Sequence, residues 1–166
     1  CIKLNPDSSF SLNKEKYSEP YKVIQDNEIR NYIENVLSKK KFEYEKDEEV
    51  TFEELLSLAK EAIKRFIKKK NDLNITLDTD VLLKFEEKFI HIDNKNDEIH
   101  VKNNNDILKI KKYAIYEVDS KLLKRILSGP RYAHWNNSEI GSHIKFYRYP
   151  NVFDRKVYDA MSYFHI

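Results

Sequence analysis

Residues 89–102 read FIHIDNKNDEIHVK, a sequence typical of two β-strands joined by a tight turn. Apolar and polar residues alternate from Phe89 to Asp93 and again from Glu98 to Lys102, which is the period of a half-buried strand. The intervening residues 94–97 supply the Asn and Asp side chains that favour turns, where glycine is more usual. This segment therefore predicts an antiparallel hairpin.

The register of this hairpin follows if Asp93 pairs with Glu98. The resulting pairs are Ile92–Ile99 and Ile90–Val101 on one face and His91–His100 on the other. Two adjacent histidines can bind a divalent metal ion, but an exposed pair without a third ligand is more often solvated. We therefore expect a solvated histidine pair here.

Further strands and helices are predicted on both sides of the hairpin from the same periodicities. Thr51 followed by Glu54 has the spacing of a capping box and begins the longest helix, which runs to about residue 69. Gly129-Pro130 ends a later helix. The other predicted strands are 74–77, 81–86, 107–118 and 143–149, and the other predicted helices begin near residues 26, 120 and 154.

Helices segregated around this sheet predict an α+β fold, with a mostly antiparallel sheet of about five strands. Residues 1–25 contain Pro6 and Pro20 and show neither period, so they are expected to form an extended arm or linker. Residues 26–166 are expected to form a single α+β domain. The first residue is Cys1 rather than Met, which suggests a fragment or a processed piece, and a cloning artefact is an equally good explanation.

The composition argues against two classes of partner. Charged residues make up 35% of the 166 residues, yet the net charge is only +2 and the two signs are interleaved, which argues against a nucleic-acid partner. No apolar run approaches the roughly 18 residues that a membrane-spanning helix needs. The N-terminus also lacks the apolar core of a secretory signal. We therefore expect a cytoplasmic protein without a transmembrane segment.

The most unusual segment is residues 129–143, GPRYAHWNNSEIGSH. It contains both glycines, the only tryptophan and two of the five histidines, and it is predicted to be an irregular loop. Tyr132 and Trp135 are expected to act as packing anchors. The polar groups expected to fix the loop or to contact a ligand are His134, Asn136, Asn137, Glu139 and His143.

Catalytic motifs do not stand out in this segment. His134, Glu139 and His143 could meet around a metal ion, although hydrogen-bonded structural roles are the more usual use of such residues. No Gly-x-Ser-x-Gly elbow is present, and two glycines twelve positions apart cannot form a phosphate-binding loop. No catalytic residue and no metal ligand is therefore predicted in this chain.

Aromatic residues are concentrated in the last 35 residues. Tyrosine and tryptophan suit surfaces that are apolar in body and polar at the tip, as in a protein interface or the wall of a pocket. A small core beneath the final helix is an equally good explanation. The residues concerned are Tyr132, Trp135, Phe146, Tyr147, Tyr149, Phe153, Tyr158, Tyr163 and Phe164.

Residues 122–165, and above all the segment His134-Trp-Asn-Asn-Ser-Glu-Ile-Gly-Ser142, resemble the C-terminal region of bacterial proteins that carry a metallo-β-lactamase-fold hydrolase domain. Those proteins are similar to the CMP-N-acetylneuraminate hydroxylase group. The order of elements over residues 74–166 also resembles the sterol-carrier-like module that is appended to other enzymes of that fold.

The resemblance implies a non-catalytic accessory domain that docks on an upstream catalytic domain or a second subunit and helps to line the substrate site. The metal ion would belong to that catalytic domain, because the family's His-x-His-x-Asp-His ligand motif does not occur here. An alternative is a sterol-carrier-like module that binds a lipid or another apolar ligand. A small independent metal-dependent enzyme is the third expectation.

Overall fold

The computed structural model describes residues 2–166, which divide into two compact units on either side of the Lys41–Phe42 bond. In the N-terminal unit, β1 (Phe10–Ser11) and β2 (Lys16–Tyr17) form a short antiparallel ladder, followed by α1 (Asp26–Asn35). The boundary predicted after residue 25 coincides with the start of α1.

The C-terminal unit begins with α2 (Phe52–Asp72), the longest helix. The predicted capping box is present: the Thr51 hydroxyl accepts a hydrogen bond from the Glu54 amide at 3.2 Å, and the Glu54 carboxylate accepts one from the Thr51 amide at 2.9 Å. Because these bonds satisfy amides that the first helical turn leaves unpaired, they fix where the helix begins. Its apolar stripe lies buried against the sheet.

A five-stranded sheet forms the centre of this unit, in the order β5-β4-β3-β6-β7. Only the pairing of β3 with β6 is parallel. The strands are β3 (Asp80–Phe85), β4 (Lys88–Asp93), β5 (Glu98–Asn103), β6 (Tyr113–Val118) and β7 (Ile144–Tyr149). The β4–β5 hairpin has the predicted register, including His91 opposite His100, and the α+β fold is confirmed.

Besides a 3-10 helix at Glu43–Lys46, four shorter α-helices complete the unit. They are α3 (Asn104–Ile107), α4 (Ser120–Leu127), α5 (Trp135–Ile140) and α6 (Arg155–Met161). The main core lies between one face of the sheet and helices α2, α4 and α6. A second, smaller cluster on the opposite face consists of Leu82, Phe89 and Ile107. Within residues 2–166, no helix combines the length and the apolar composition that crossing a bilayer requires.

Some local predictions were wrong. Residues 74–77 are not a strand, because Asn74 adopts a positive φ of 57° and the Ile75 amide bonds back to the Lys70 carbonyl. The strand predicted from residue 107 begins only at Tyr113, because residues 104–112 cross the back of the sheet and bury Ile107 there.

The histidine pair also differs from its prediction. His91 is only 4% exposed, and its Nε2 lies 2.9 Å from Asp80 Oδ2, whereas His100 is half-buried. The alternation of residues 89–102 does not indicate that another segment packs on this face. Burial there, where Ile107 contacts Leu82 and Phe89, could therefore not be predicted from the hairpin sequence.

Candidate functional site

A cavity of about 80 Å³ opens to the surface between β6, β7 and the N-terminal end of α6. Its walls combine aromatic rings with four charged side chains that come from different elements. We call it the Arg148 cavity. The residues that matter for its chemistry are Lys112, Tyr116, Glu139, Phe146, Arg148, Phe153, Asp154 and Tyr158.

Arg148 projects from β7 and is held by aromatic rings. Its guanidinium carbon lies 4.8 Å from the centroid of the Phe146 ring and 5.8 Å from that of Phe153. Within residues 2–166, no carboxylate lies within ion-pairing distance of this guanidinium. Stacking on rings fixes the plane of a guanidinium while leaving its N–H groups available to a partner.

Glu139, at the C-terminal end of α5, lines the same cavity and is half-buried. Burial raises the pKa of Glu139 to about 7, although the positive charge of Arg148 opposes this effect. A carboxyl group with a pKa near neutrality is present in both protonation states at physiological pH. It can therefore donate or accept a hydrogen bond or exchange a proton.

Tyr116 lies on β6 beneath this cavity and is 3% exposed. Its ring makes edge contacts with Trp135 at 5.7 Å and with Phe146 at 4.7 Å. Burial raises the pKa of Tyr116 well above the ordinary tyrosine range, and the charge of Glu139 acts in the same direction. The phenol consequently remains a neutral hydroxyl at physiological pH.

The opposite wall carries a satisfied polar network. Asp154 Oδ2 accepts a hydrogen bond from the Thr79 hydroxyl at 2.8 Å and lies 3.5 Å from Lys112 Nζ, while Oδ1 caps α6. Burial opposes ionisation of Asp154, but the bonds from Thr79 and the Val157 amide and the charge of Lys112 outweigh it and lower its pKa. Lys112 also donates to Asp78 at 2.6 Å. These charges are paired, unlike that of Arg148.

The predicted site residues do not gather at one place. Glu139 is the one that lines the Arg148 cavity. Trp135 is fully buried, and its indole N–H donates to the Phe164 carbonyl at 2.9 Å, so its side chain belongs to the core and not to the cavity surface. Tyr132, by contrast, is 60% exposed and lies beside Arg131 and Ile166 on another part of the surface.

The segment predicted to be irregular contains α5, which is a correction. His134 is its N-cap, and its Nδ1 accepts a hydrogen bond from the Asn136 amide at 3.3 Å. The Asn136 side-chain oxygen accepts one from the Ser162 hydroxyl at 3.0 Å, whereas Asn137 is exposed. A short helix capped by histidine has no strong sequence signal, because Ser, Thr, Asp and Asn are the usual caps.

His143 lies in an aromatic contact away from the cavity. Its ring packs edge-on against Phe42 at 4.6 Å, and its Nδ1 lies 3.2 Å from the Tyr44 hydroxyl. His134, Glu139 and His143 therefore occupy separate environments. Across residues 2–166, no three His, Cys, Asp or Glu side chains are arranged to hold a metal ion.

Sequence reasoning missed Arg148, Tyr116 and Asp154 as parts of a site. The pattern of β7 offered one signal: Arg148 lies on the same face as Ile144 and Phe146, where an apolar residue is expected. A cation on the inward face of a strand is unusual enough to suggest a binding role.

Comparison of the chain with models of known protein families, with curated proteins and with solved structures finds no match.

Proposed function

We propose that residues 42–166 form a binding module that takes a small, planar carboxylate ligand in the Arg148 cavity. The observation that carries this proposal is the state of Arg148: its guanidinium is held against two aromatic rings, faces a cavity and has no carboxylate partner within residues 2–166. Arginine in such a setting is suited to bidentate recognition of a carboxylate.

The second polar group of the cavity supports the same ligand class. When protonated, Glu139 can donate a hydrogen bond to a carboxylate oxygen, and its pKa of about 7 makes that form available near neutrality. Phe146 and Phe153 provide apolar surface beside the guanidinium. An aromatic or other flat carboxylate fits this combination of one cation, one carboxylic acid and two rings.

The size of the cavity argues against the lipid-binding alternative. Pockets that enclose drug-sized ligands are about 300–1,000 Å³, whereas the Arg148 cavity is about 80 Å³. The space between the sheet and α6 is occupied by buried Trp135, Met161 and Phe164. A ligand that places only a short carboxylate-bearing end inside the protein agrees better with these dimensions than a sterol or an acyl chain.

Titration of the full chain with benzoate, followed by amide NMR shifts, tests the proposal. We expect shifts at residues that line the cavity and none with benzyl alcohol, which lacks the charge. Arg148→Gln is expected to weaken benzoate binding about tenfold or more, because a charge-assisted hydrogen bond contributes about 1.5–3 kcal/mol.

Lys145→Gln is the matched control, because Lys145 is also a β7 cation but is exposed and does not line the cavity. This variant is expected to bind benzoate as the native chain does. Absence of benzoate binding to the native chain, or equal binding by Arg148→Gln, would refute the proposal.

A second candidate function is docking on another protein, and the exposed residues next to the cavity favour it. Tyr149, Val152 and Phe153 line the cavity and are each about 60% exposed, at 59%, 64% and 60%. Aromatic residues in exposed clusters are common in protein interfaces. We propose that this surface belongs to an accessory domain of a cytoplasmic metallo-β-lactamase-fold hydrolase, docking on the metal-containing domain or a second subunit.

The reading frame upstream of Cys1 tests this second candidate. A hydrolase domain with the His-x-His-x-Asp-His motif would support it, and a start codon directly before Cys1 would refute docking on an upstream domain of the same polypeptide. Failure here leaves benzoate binding unaffected, so the two candidates are tested separately.

A further inference from the structure

Strand β5 lies at the edge of the sheet, with β4 as its only neighbour among the strands of residues 2–166. An edge strand presents a row of backbone N–H and C=O groups that can pair with another strand. Proteins commonly protect such edges with proline, a bulge or charged side chains, above all lysine, and of these β5 has the charged residues Glu98 and Lys102. β5 contains no proline, and its six pairs with β4 run without a bulge from Glu98 to Asn103.

The sequence of β5 is complementary to itself when a second copy runs antiparallel and is centred on His100. Opposite charges then face each other, and apolar residues face each other on the other side of the sheet. The cross-strand pairs in this register are Glu98–Lys102, Ile99–Val101, His100–His100, Val101–Ile99 and Lys102–Glu98.

We propose that two copies of this chain associate through β5, joining their sheets into one continuous ten-stranded sheet. Each symmetric contact would contain two Glu–Lys pairs and two Ile–Val pairs. Directly opposite residues in an antiparallel pair lie about 4.5–5.5 Å apart at Cβ, close enough for both kinds of interaction.

The surroundings of these side chains agree with such a partner. Val101 is 47% exposed although it shares a face with Ile99, which packs against the main core. A second β5 would cover Val101 with an isoleucine. Within residues 2–166, Lys102 forms no ion pair with a carboxylate, although its charge acts on Asp106. Its ammonium group is therefore available to the partner's Glu98.

The other edge strand, β7, lacks this complementarity. It carries Lys145 and Arg148 but no carboxylate, so pairing with a second copy would bring no opposite charges together. β7 is also followed directly by Pro150, which has no N–H to donate. The inference is therefore specific to β5.

Charge-reversal substitutions at Glu98 and Lys102, made in the full chain, test the proposal. Sedimentation equilibrium over a concentration series is expected to show a monomer–dimer equilibrium for the native protein. Glu98→Lys and Lys102→Glu should each raise the dimer dissociation constant about tenfold, since each replaces two attractive pairs with two repulsive pairs.

Two further samples distinguish a loss of charge pairing between the two β5 strands from a folding defect in the variants. The double variant Glu98→Lys/Lys102→Glu restores opposite charges and should dimerise as the native chain does. An equimolar mixture of the two single variants should form the heterodimer more tightly than either homodimer. Both single variants are expected to keep the native circular dichroism spectrum, because within its own chain residue 98 lies opposite Asp93 and residue 102 lies opposite Phe89, so neither reversal places like charges directly opposite each other.

A native chain that sediments as a monomer at all concentrations would overturn the proposal. So would a double variant that associates as weakly as the single variants, or a mixture that forms no heterodimer. Benzoate binding in the Arg148 cavity involves β6, β7, α5 and α6, so it is not affected by the outcome.

Discussion

Replacing Glu139 with glutamine should change how the stability of the protein depends on pH. Burial raises the pKa of Glu139 from its ordinary 4.5 to about 7. The folded protein then holds this proton more tightly than the unfolded chain does. Stability is therefore lost as the pH rises from about 4.5 to about 7, because ionising the buried carboxyl has a cost only in the folded state.

The size of the effect follows from the two pKa values. At about 1.4 kcal/mol for each pH unit between them, the full difference would be about 3–4 kcal/mol. Since Glu139 is only half-buried and partly screened by water, we expect about 1–2 kcal/mol. Glutamine cannot ionise, so Glu139→Gln should gain this amount relative to the native chain at pH 8 and little of it at pH 4.5.

Urea denaturation of both proteins, at pH 4.5 and at pH 8, measures this difference. The free energy of unfolding of Glu139→Gln minus that of the native chain should be about 1–2 kcal/mol larger at pH 8 than at pH 4.5. A difference independent of pH, or one of opposite sign, would refute the reasoning about the Arg148 cavity.

Three further predictions concern other parts of the C-terminal unit. Glu117→Gln should destabilise the protein at pH 7 and progressively less below about pH 4.5. The hydrogen bond from Lys84 lowers the pKa of Glu117, so the stabilisation that the carboxylate provides is lost as it is protonated. Urea denaturation at several pH values in this range measures how the free energy of unfolding changes with pH. Trp135→Phe should cost about 2 kcal/mol in urea denaturation, because it removes the bond to the Phe164 carbonyl and part of the packing, whereas Tyr132→Phe at an exposed position should cost little. Gly129→Ala should cost at least about 1 kcal/mol by thermal denaturation, because the backbone there has a φ of +116° and the added Cβ would lie 3.2 Å from the Ile166 carbonyl oxygen; an unchanged midpoint would contradict this account.

The local elements were predictable because their signals are contained in a few neighbouring residues. The β4–β5 register follows from alternation and turn chemistry, and the start of α2 follows from Thr51 and Glu54. By contrast, the parallel pairing of β3 with β6 joins residues more than thirty positions apart, and no turn specifies it. Segment 104–112 could not be recognised as a cover because its apolar residues fit a strand equally well.

The candidate site was less predictable than the fold. Glu139 was selected from its unusual segment, but its raised pKa depends on burial next to β6 and β7. Arg148 is part of a site only because Phe153, which follows β7, packs beside its guanidinium and because α6 closes the cavity. His134 and His143 were chosen for their chemistry, yet one caps a helix and the other packs against Phe42. Residue type alone does not separate these roles.

The parallel contact between β3 and β6 also constrains the kinetics of folding. Residues 80–103 form one antiparallel meander, and β6 and β7 form another antiparallel pair around α4 and α5. Each piece closes through contacts that are near in sequence, whereas joining them requires residues 104–112 to be laid across the back of Leu82 and Phe89. Because closing this connection loses chain entropy before the strands gain their pairing, we expect docking of the two halves to be the slow step of folding.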